Sequence, residues 1–141
     1  MGLLLLTTFG PIEWALLSIW FLAVSAPIIY SLRNKTPVAL GISVALLLGY
    51  IVQYSYVVMR NYDIDIYFVW ADFMLIPTRL DSPTWLHTLA SAGFLHSQSD
   101  VTHVLGNVLV IALVGIPLEQ RLGTNRFIIV YVLGLLGGSI A

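Results

Sequence analysis

The chain has 141 residues, of which 59% are hydrophobic and 9% carry a charged side chain, and its formal net charge is −1. About 25% of the residues in ordinary soluble domains are charged, so this composition, with a mean hydropathy of +0.94, predicts an integral membrane protein. The lack of a basic patch argues against nucleic acid as a partner, and the absence of cysteine excludes disulfide bonds and thiolate chemistry.

Two hydrophobic segments come first, at residues 14–32 and 38–59. Each provides roughly the 20 apolar residues that a membrane-spanning helix needs. The polar residues 33–37 lie between them and predict a short turn. No Lys or Arg precedes the first apolar run, whereas a cleaved signal peptide begins with a basic region. We therefore expect residues 14–32 to be retained as a span.

A long loop is predicted at residues 60–100, where the chain carries five Asp and two Arg. It contains two interrupted apolar pieces, 64–76 and 82–94, which are too short to cross a membrane and are typical of interfacial or re-entrant segments. Long loops with structure of their own are often functional. This loop is therefore either part of a site or a solvated cap without one.

A third span is predicted at residues 101–118, with Asp100 as the N-cap of its helix. A turn at 119–126 joins it to a fourth apolar segment, 127–141, whose closely spaced glycines suit tight helix packing. At about 1.5 Å per residue the fourth segment reaches about 22 Å, less than a hydrocarbon core of about 30 Å. We therefore expect the chain to be a fragment, or a partner chain to complete the bundle.

The distribution of charge predicts an orientation. Basic residues lie in both short turns, 33–37 and 119–126, whereas the loop 60–100 has three more acidic than basic residues. Because cytoplasmic loops are enriched in Lys and Arg, both turns are predicted to be cytoplasmic and the loop to lie outside. An even number of crossings separates the two turns, as this assignment requires, and the N-terminus is then predicted to be outside.

The third span carries two polar side chains, His103 and Asn107, four residues apart and therefore on one face of a helix. Polar side chains in a membrane usually face protein or a water-filled cavity, so this pair is a candidate site. One alternative is a hydrogen bond that holds helices together, worth about 0.6–2 kcal/mol. Another is a metal or haem site that includes His96, although residues 98–100 are typical of a turn that would separate His96 from the helix.

Three motifs, in order, resemble the rhomboid family of intramembrane serine proteases. They are Phe94-Leu95-His96, then Thr102-His103 with Gly106-Asn107, then Leu118-Glu119-Gln120-Arg121-Leu122-Gly123 with Arg126-Phe127. The resemblance covers residues 94–141 well and extends to the preceding loop and span in layout only. It implies an all-α polytopic membrane protein, a rhomboid-like helical bundle, in which 38–59 is the first core span and 14–32 is an extra N-terminal span.

The resemblance also assigns roles to individual residues. It implies that His103 and Asn107 line the active site and support the oxyanion. It implies that the residues of the following turn and the end of its helix are structural; these are Gly115, Glu119, Arg121 and Gly123. We therefore expect alanine variants of Glu119 and Arg121 to lower thermal stability, and no change for either would contradict this.

The family's reactive groups are not found in this chain. In the family the nucleophilic Ser lies in a Gly-x-Ser-Gly motif on the helix after the fourth segment seen here, and the His base comes two helices later. Ser139 follows Gly138 but precedes Ile140, so it is not assigned as a nucleophile. The family's Trp-Arg pair in the loop is also altered, because Trp85 is followed by Leu86.

Three functions therefore remain open. The first is the N-terminal part of a rhomboid protease that cleaves transmembrane proteins and is inactive as residues 1–141 alone. The second is a non-catalytic rhomboid-like protein that binds transmembrane clients. The third is a structural subunit whose missing helices come from partner chains in the bilayer. No cofactor and no metal is expected in any of them.

Overall fold

The computed structural model describes residues 9–61, 70–76, 83–96 and 100–140, and these ranges contain helices and no strand. The predicted all-α class is therefore confirmed. Within the described ranges five helices carry the fold, and in chain order they are α1 (Pro11–Asn34), α2 (Val38–Met59), α3 (Thr88–Ser91), α4 (Val101–Leu122) and α5 (Thr124–Ile140). Of these, α1, α2 and α4 are long and apolar enough to cross a membrane, which indicates a multi-pass membrane protein.

Helices α1 and α2 form a hairpin that turns at Lys35, which has a φ of 55°. The bounds of α2 coincide with the predicted span, whereas α1 extends beyond the predicted 14–32 at both ends. Pro11 occupies the first turn of α1, where its missing N–H costs nothing. At the opposite end of the hairpin, Arg60 Nη2 lies 3.0 Å from Glu13 Oε1, so the start of α1 is tied to the end of α2.

The described part of the loop contains only short helical segments. Helix α3 is flanked by single 3₁₀ turns at Pro83–Trp85 and Ala92–Phe94. Of the predicted interfacial segment 64–76, residues 64–69 lie outside the described residues and 70–76 are described. Within that piece, the ring centroid of Trp70 lies 5.7 Å from that of Trp20 on α1, so the loop packs against the first hairpin.

Helix α4 begins where it was predicted to begin and ends four residues later than predicted. The Asp100 side chain caps it by accepting a hydrogen bond of 2.9 Å from the Thr102 N–H. A wider, π-helical turn occupies Ile111–Gly115 in the middle of the helix. Pro117 lies two residues after this turn, and because proline has no N–H to donate, the ordinary hydrogen-bond ladder cannot be completed before it. Pro117 therefore explains why α4 departs from regular helix at this point.

The reversal between α4 and α5 is much tighter than the predicted turn at 119–126. It is made by Gly123 alone, which has a φ of 81°, a conformation that favours glycine. The N–H of Gly123 donates to Glu119 O at 2.8 Å, and its carbonyl accepts from Phe127 N–H at 3.0 Å. The predicted turn residues therefore belong to the two helices, and α5 starts at Thr124 rather than at the predicted residue 127.

Helix α2 is the central element of the bundle. Half of its most apolar 18-residue window is buried, against 28% for α1 and 11% for α4. One buried cluster joins α2 to α1 and Trp70, and a second joins α2 to Val104 and Phe127 of α4 and α5. Helix α4 thus packs on α2 with one stripe and exposes most of its remaining surface.

Candidate functional site

The structure brings His103 and Asn107 into direct contact. They lie one turn apart on α4, as predicted, and Asn107 Nδ2 is 3.3 Å from His103 Nε2. His103 is exposed and Asn107 is half-buried, while Val104 between them is fully buried against α2. The pair therefore lies at the edge of the contact between α4 and α2, with His103 on the uncovered surface.

A third residue joins this pair. His96, which is only 7% exposed, places its Nε2 at 3.1 Å from Asn107 Nδ2. The ring centroids of His96 and His103 are 5.5 Å apart. We call these three residues, His96, His103 and Asn107, the His–Asn cluster. From the sequence, His96 was considered as a possible metal ligand and as part of the first of the three motifs, and its contact with Asn107 was not predicted.

The segment that carries His96 is wedged between two helices. Phe94 and Leu95 pack against the buried clusters, and Phe94 contacts both of them. A methyl group at Gly93 would overlap Leu135 Cδ1 of α5, so this glycine permits a close approach that a larger residue would block. The apolar residues directly before His96 were the sequence signal that this histidine is anchored.

The environment of His96 disfavours a charge on its ring. Burial lowers the pKa of His96 from its ordinary value of 6.5, and the nearby His103 lowers it further, against a hydrogen bond to the Phe94 backbone that raises it. The pKa of Asp100 is lowered in turn by its hydrogen bonds to the Thr102 side chain and N–H, with a smaller contribution from His103. Within the His–Asn cluster, His96 therefore favours its neutral form, and the adjacent helix cap Asp100 favours its ionised form.

The metal or haem alternative receives no support from the residues whose positions are described. Among them no group of three or more His, Cys, Asp or Glu side chains could hold a metal ion. The imidazoles of His96 and His103 are both hydrogen-bonded to the side-chain Nδ2 of Asn107, and this atom can only donate hydrogen bonds. Both Nε2 atoms therefore accept hydrogen bonds in this arrangement and are not free to ligate.

A second polar cluster surrounds Glu119, which is 5% exposed. Its Oε1 accepts hydrogen bonds from Val38 N–H at 2.9 Å and from Thr124 Oγ1 at 2.8 Å. Its Oε2 accepts a hydrogen bond of 2.8 Å from Ala39 N–H. We call Glu119, Val38, Ala39 and Thr124 the Glu119 cluster; in it a side chain from α4 caps the amino end of α2.

The other residues assigned by resemblance are placed around this cluster. A methyl group at Gly115 would lie 3.2 Å from Ala39 Cβ, so this glycine lets α4 approach α2 closely. Arg121 is exposed and has no hydrogen bond or ion pair with any residue in the described ranges. The structural role predicted for Arg121 therefore stays a prediction.

Comparison with known proteins identifies one domain. Residues 83–141 match the rhomboid domain. No curated protein and no solved structure gives a significant match to the chain. The matched segment contains both the His–Asn cluster and Glu119, and it coincides with the region where the sequence motifs were found. Residues 83–141 of this chain are therefore similar to the rhomboid domain, which is consistent with a partial rhomboid.

Proposed function

We propose that this chain is the N-terminal portion of a rhomboid-type intramembrane serine protease that cleaves transmembrane proteins. The single observation that carries the proposal is the contact between Asn107 and His103 at the start of α4, within the rhomboid domain. It presents hydrogen-bond donors and a titratable ring at an uncovered surface of a membrane helix. Such a pair is suited to a carbonyl substrate.

The chemistry of acyl transfer explains what the pair would do. Attack on a peptide carbonyl develops negative charge on its oxygen, and N–H groups aimed at that oxygen typically lower the barrier by about 3 kcal/mol. Asn107 Nδ2 carries two N–H groups, and His103 can donate through Nε2 once it is protonated or changes tautomer. Together they would stabilise the oxyanion without forming a covalent bond to the substrate.

The nucleophile and its base are proposed to come from helices outside residues 1–141. The exposed surface of α4 supports this, because only 11% of its most apolar window is buried by the rest of the chain. Polar residues in a membrane are tolerated when they face other helices or a water-filled cavity. Additional helices of the full-length protein, or of a partner chain, would supply that surrounding for His103.

The proposed orientation places both tight turns in the cytoplasm and the loop outside. The Glu119 cluster supports it, because Val38 follows the first turn and Thr124 follows the second, and both contact the same carboxylate. The two turns, each with basic residues, therefore lie at the same end of the bundle. The positive-inside rule then favours that end as the cytoplasmic one, and the His–Asn cluster would lie toward the outside.

The test is cleavage of a model transmembrane substrate by the full-length protein carrying Asn107→Ala. We expect kcat to fall by about 10²- to 10³-fold, because donors to the oxyanion are lost, while thermal unfolding changes little. Asn125→Ala is a matched control, since Asn125 is exposed on α5 and outside the His–Asn cluster. Unchanged turnover of the Asn107 variant would refute the proposal, and cleavage absent from the wild type would favour a client-binding protein.

A further inference from the structure

His96 has a contact with Asn107 that the proposed chemistry does not explain. It is not part of α4, and it reaches Asn107 from the loop, across a separation of 11 residues. Its ring is almost completely buried, in contrast to the exposed ring of His103. An apolar side chain could fill the same space without a hydrogen bond. The hydrogen bond between the buried imidazole and the Asn107 amide is therefore a specific contact and not only a packing contact.

The two hydrogen bonds of the Asn107 amide are not equivalent. Nδ2 has two N–H groups, and each has one Nε2 acceptor, at 3.1 Å on buried His96 and at 3.3 Å on exposed His103. The bond to His96 is shorter and screened from solvent, so it is the stronger of the two. The bond to His103 is longer and open to exchange with water or with a substrate oxygen.

The backbone around His96 restrains the ring on two sides. Phe94, two residues before His96, packs against both buried clusters, and Leu95 packs against one of them. Gly93 is held against Leu135 of α5. The ring of His96 therefore has little freedom to move, and its hydrogen bond restrains the carboxamide of Asn107.

We propose that His96 is a positioning residue, which fixes the carboxamide of Asn107 through one N–H so that the other can pass from His103 to the developing oxyanion. The inference rests on the proposed function and extends it to a residue to which nothing above assigned a part in catalysis. It divides the His–Asn cluster into a fixed half, His96 with Asn107, and an exchangeable half, His103.

Protonation of His96 would break this arrangement. A proton on its Nε2 would face the N–H of Asn107, and two donors cannot form a hydrogen bond. The titratable groups around the ring are His103 and, beyond it, Asp100 on the α4 side, with Tyr50 of α2 in electrostatic contact with Asp100.

The first test compares two variants of the full-length protein in substrate cleavage. His96→Phe keeps the ring's approximate shape and removes the acceptor, and we expect kcat to fall roughly 10- to 100-fold with little change in KM. His96→Gln offers a carbonyl acceptor and should restore part of that loss. Wild-type kinetics for His96→Phe, or equal losses for both variants, would overturn the inference.

A second measurement keeps the test independent of folding of the variants and of cleavage. In wild-type protein with ¹⁵N-labelled asparagine, the Asn107 side-chain amide signals should shift with the titration of His96 and be protected from solvent exchange. The inference would be overturned if the Asn107 amide signals did not shift with the titration of His96 and the amide protons exchanged freely with solvent. This holds even if cleavage depends on Asn107.

A double variant separates this inference from the proposed function. If His96 acts only through Asn107, His96→Phe should lower kcat no further in an Asn107→Ala background. Full additivity of the two losses would overturn the positioning role and leave the proposed function intact. An Asn107→Ala variant with normal turnover would instead refute the proposed function, whatever the amide signals show.

Discussion

Helix α4 carries two polar clusters that differ in almost every physical respect. The Glu119 cluster is buried, and each carboxylate oxygen accepts at least one hydrogen bond shorter than 3.0 Å. The His–Asn cluster lies about 18 Å away along the helix, and its contacts are 3.1 and 3.3 Å long, with His103 exposed. Both groups are costly inside a membrane protein, yet only one is enclosed.

The difference separates structure from function on one helix. A buried carboxylate with complete hydrogen bonding fixes two helices relative to one another and has no capacity left for a ligand. A half-buried amide with one exchangeable partner can bind something new without leaving a buried group unpaired. Substitutions at the Glu119 cluster should therefore change stability, and substitutions at the His–Asn cluster should change turnover.

The largest expected effect on stability comes from Glu119→Ala. The change leaves the buried N–H groups of Val38 and Ala39 without an acceptor, and we expect a loss of about 3 kcal/mol in the free energy of unfolding. Denaturant or thermal unfolding in detergent measures it. Arg121→Ala, two residues further along α4, is the comparison, with a smaller loss expected. Equal stability of Glu119→Ala and wild type would break the contrast between the two clusters.

Two glycines of α4, one near each polar cluster, sharpen the same contrast with a smaller effect. Gly115→Leu should destabilise by about 1–3 kcal/mol, because a methyl group alone would already lie 3.2 Å from Ala39 Cβ. Gly106→Leu should cost little stability, since a methyl group there would have no neighbour within 4 Å among the residues described. Thermal unfolding of both variants measures these losses. Equal losses of stability would show that α4 is packed equally closely at Gly106 and at Gly115.

The smallest expected effect is a pH dependence of stability from His96. Its lowered pKa means that the unfolded chain takes up the proton first as pH falls. The contribution is complete above the ordinary histidine pKa of about 6.5, and it is lost as pH decreases from there through the lower pKa of His96 in the folded chain. Thermal midpoints across this window should fall less steeply in His96→Phe than in wild type. Parallel curves would contradict this prediction.

Much of the fold follows from the pattern of apolar residues. The bounds of α2 were predicted to the residue because Pro37 precedes it and polar residues follow it. The reversal at Gly123 was predicted too long, since the polar side chains around it suggested solvent-exposed turn residues rather than helix ends. The wide turn in α4 was missed, although Pro117 is its visible cause in the sequence.

The candidate site was predictable only as far as one helix reaches. Helical spacing placed His103 beside Asn107, because residues four apart share a face whatever the rest of the chain does. The contact of Asn107 with His96 depends on how the loop packs between α2 and α5, which periodicity does not describe. In the same way, no local rule connects Glu119 to Val38, 81 residues earlier, since that bond depends on the packing of α4 against α2.

The long sequence separation within the Glu119 cluster has a consequence for biosynthesis. The hairpin of α1 and α2 leaves the ribosome well before Glu119 is made, so the first two amides of α2 have no carboxylate at that stage. Until α4 arrives, water or lipid headgroups must serve as acceptors at that end of the hairpin. The packing of the early hairpin is therefore completed only after Glu119 has been synthesised, when its carboxylate accepts hydrogen bonds from the N–H groups of Val38 and Ala39.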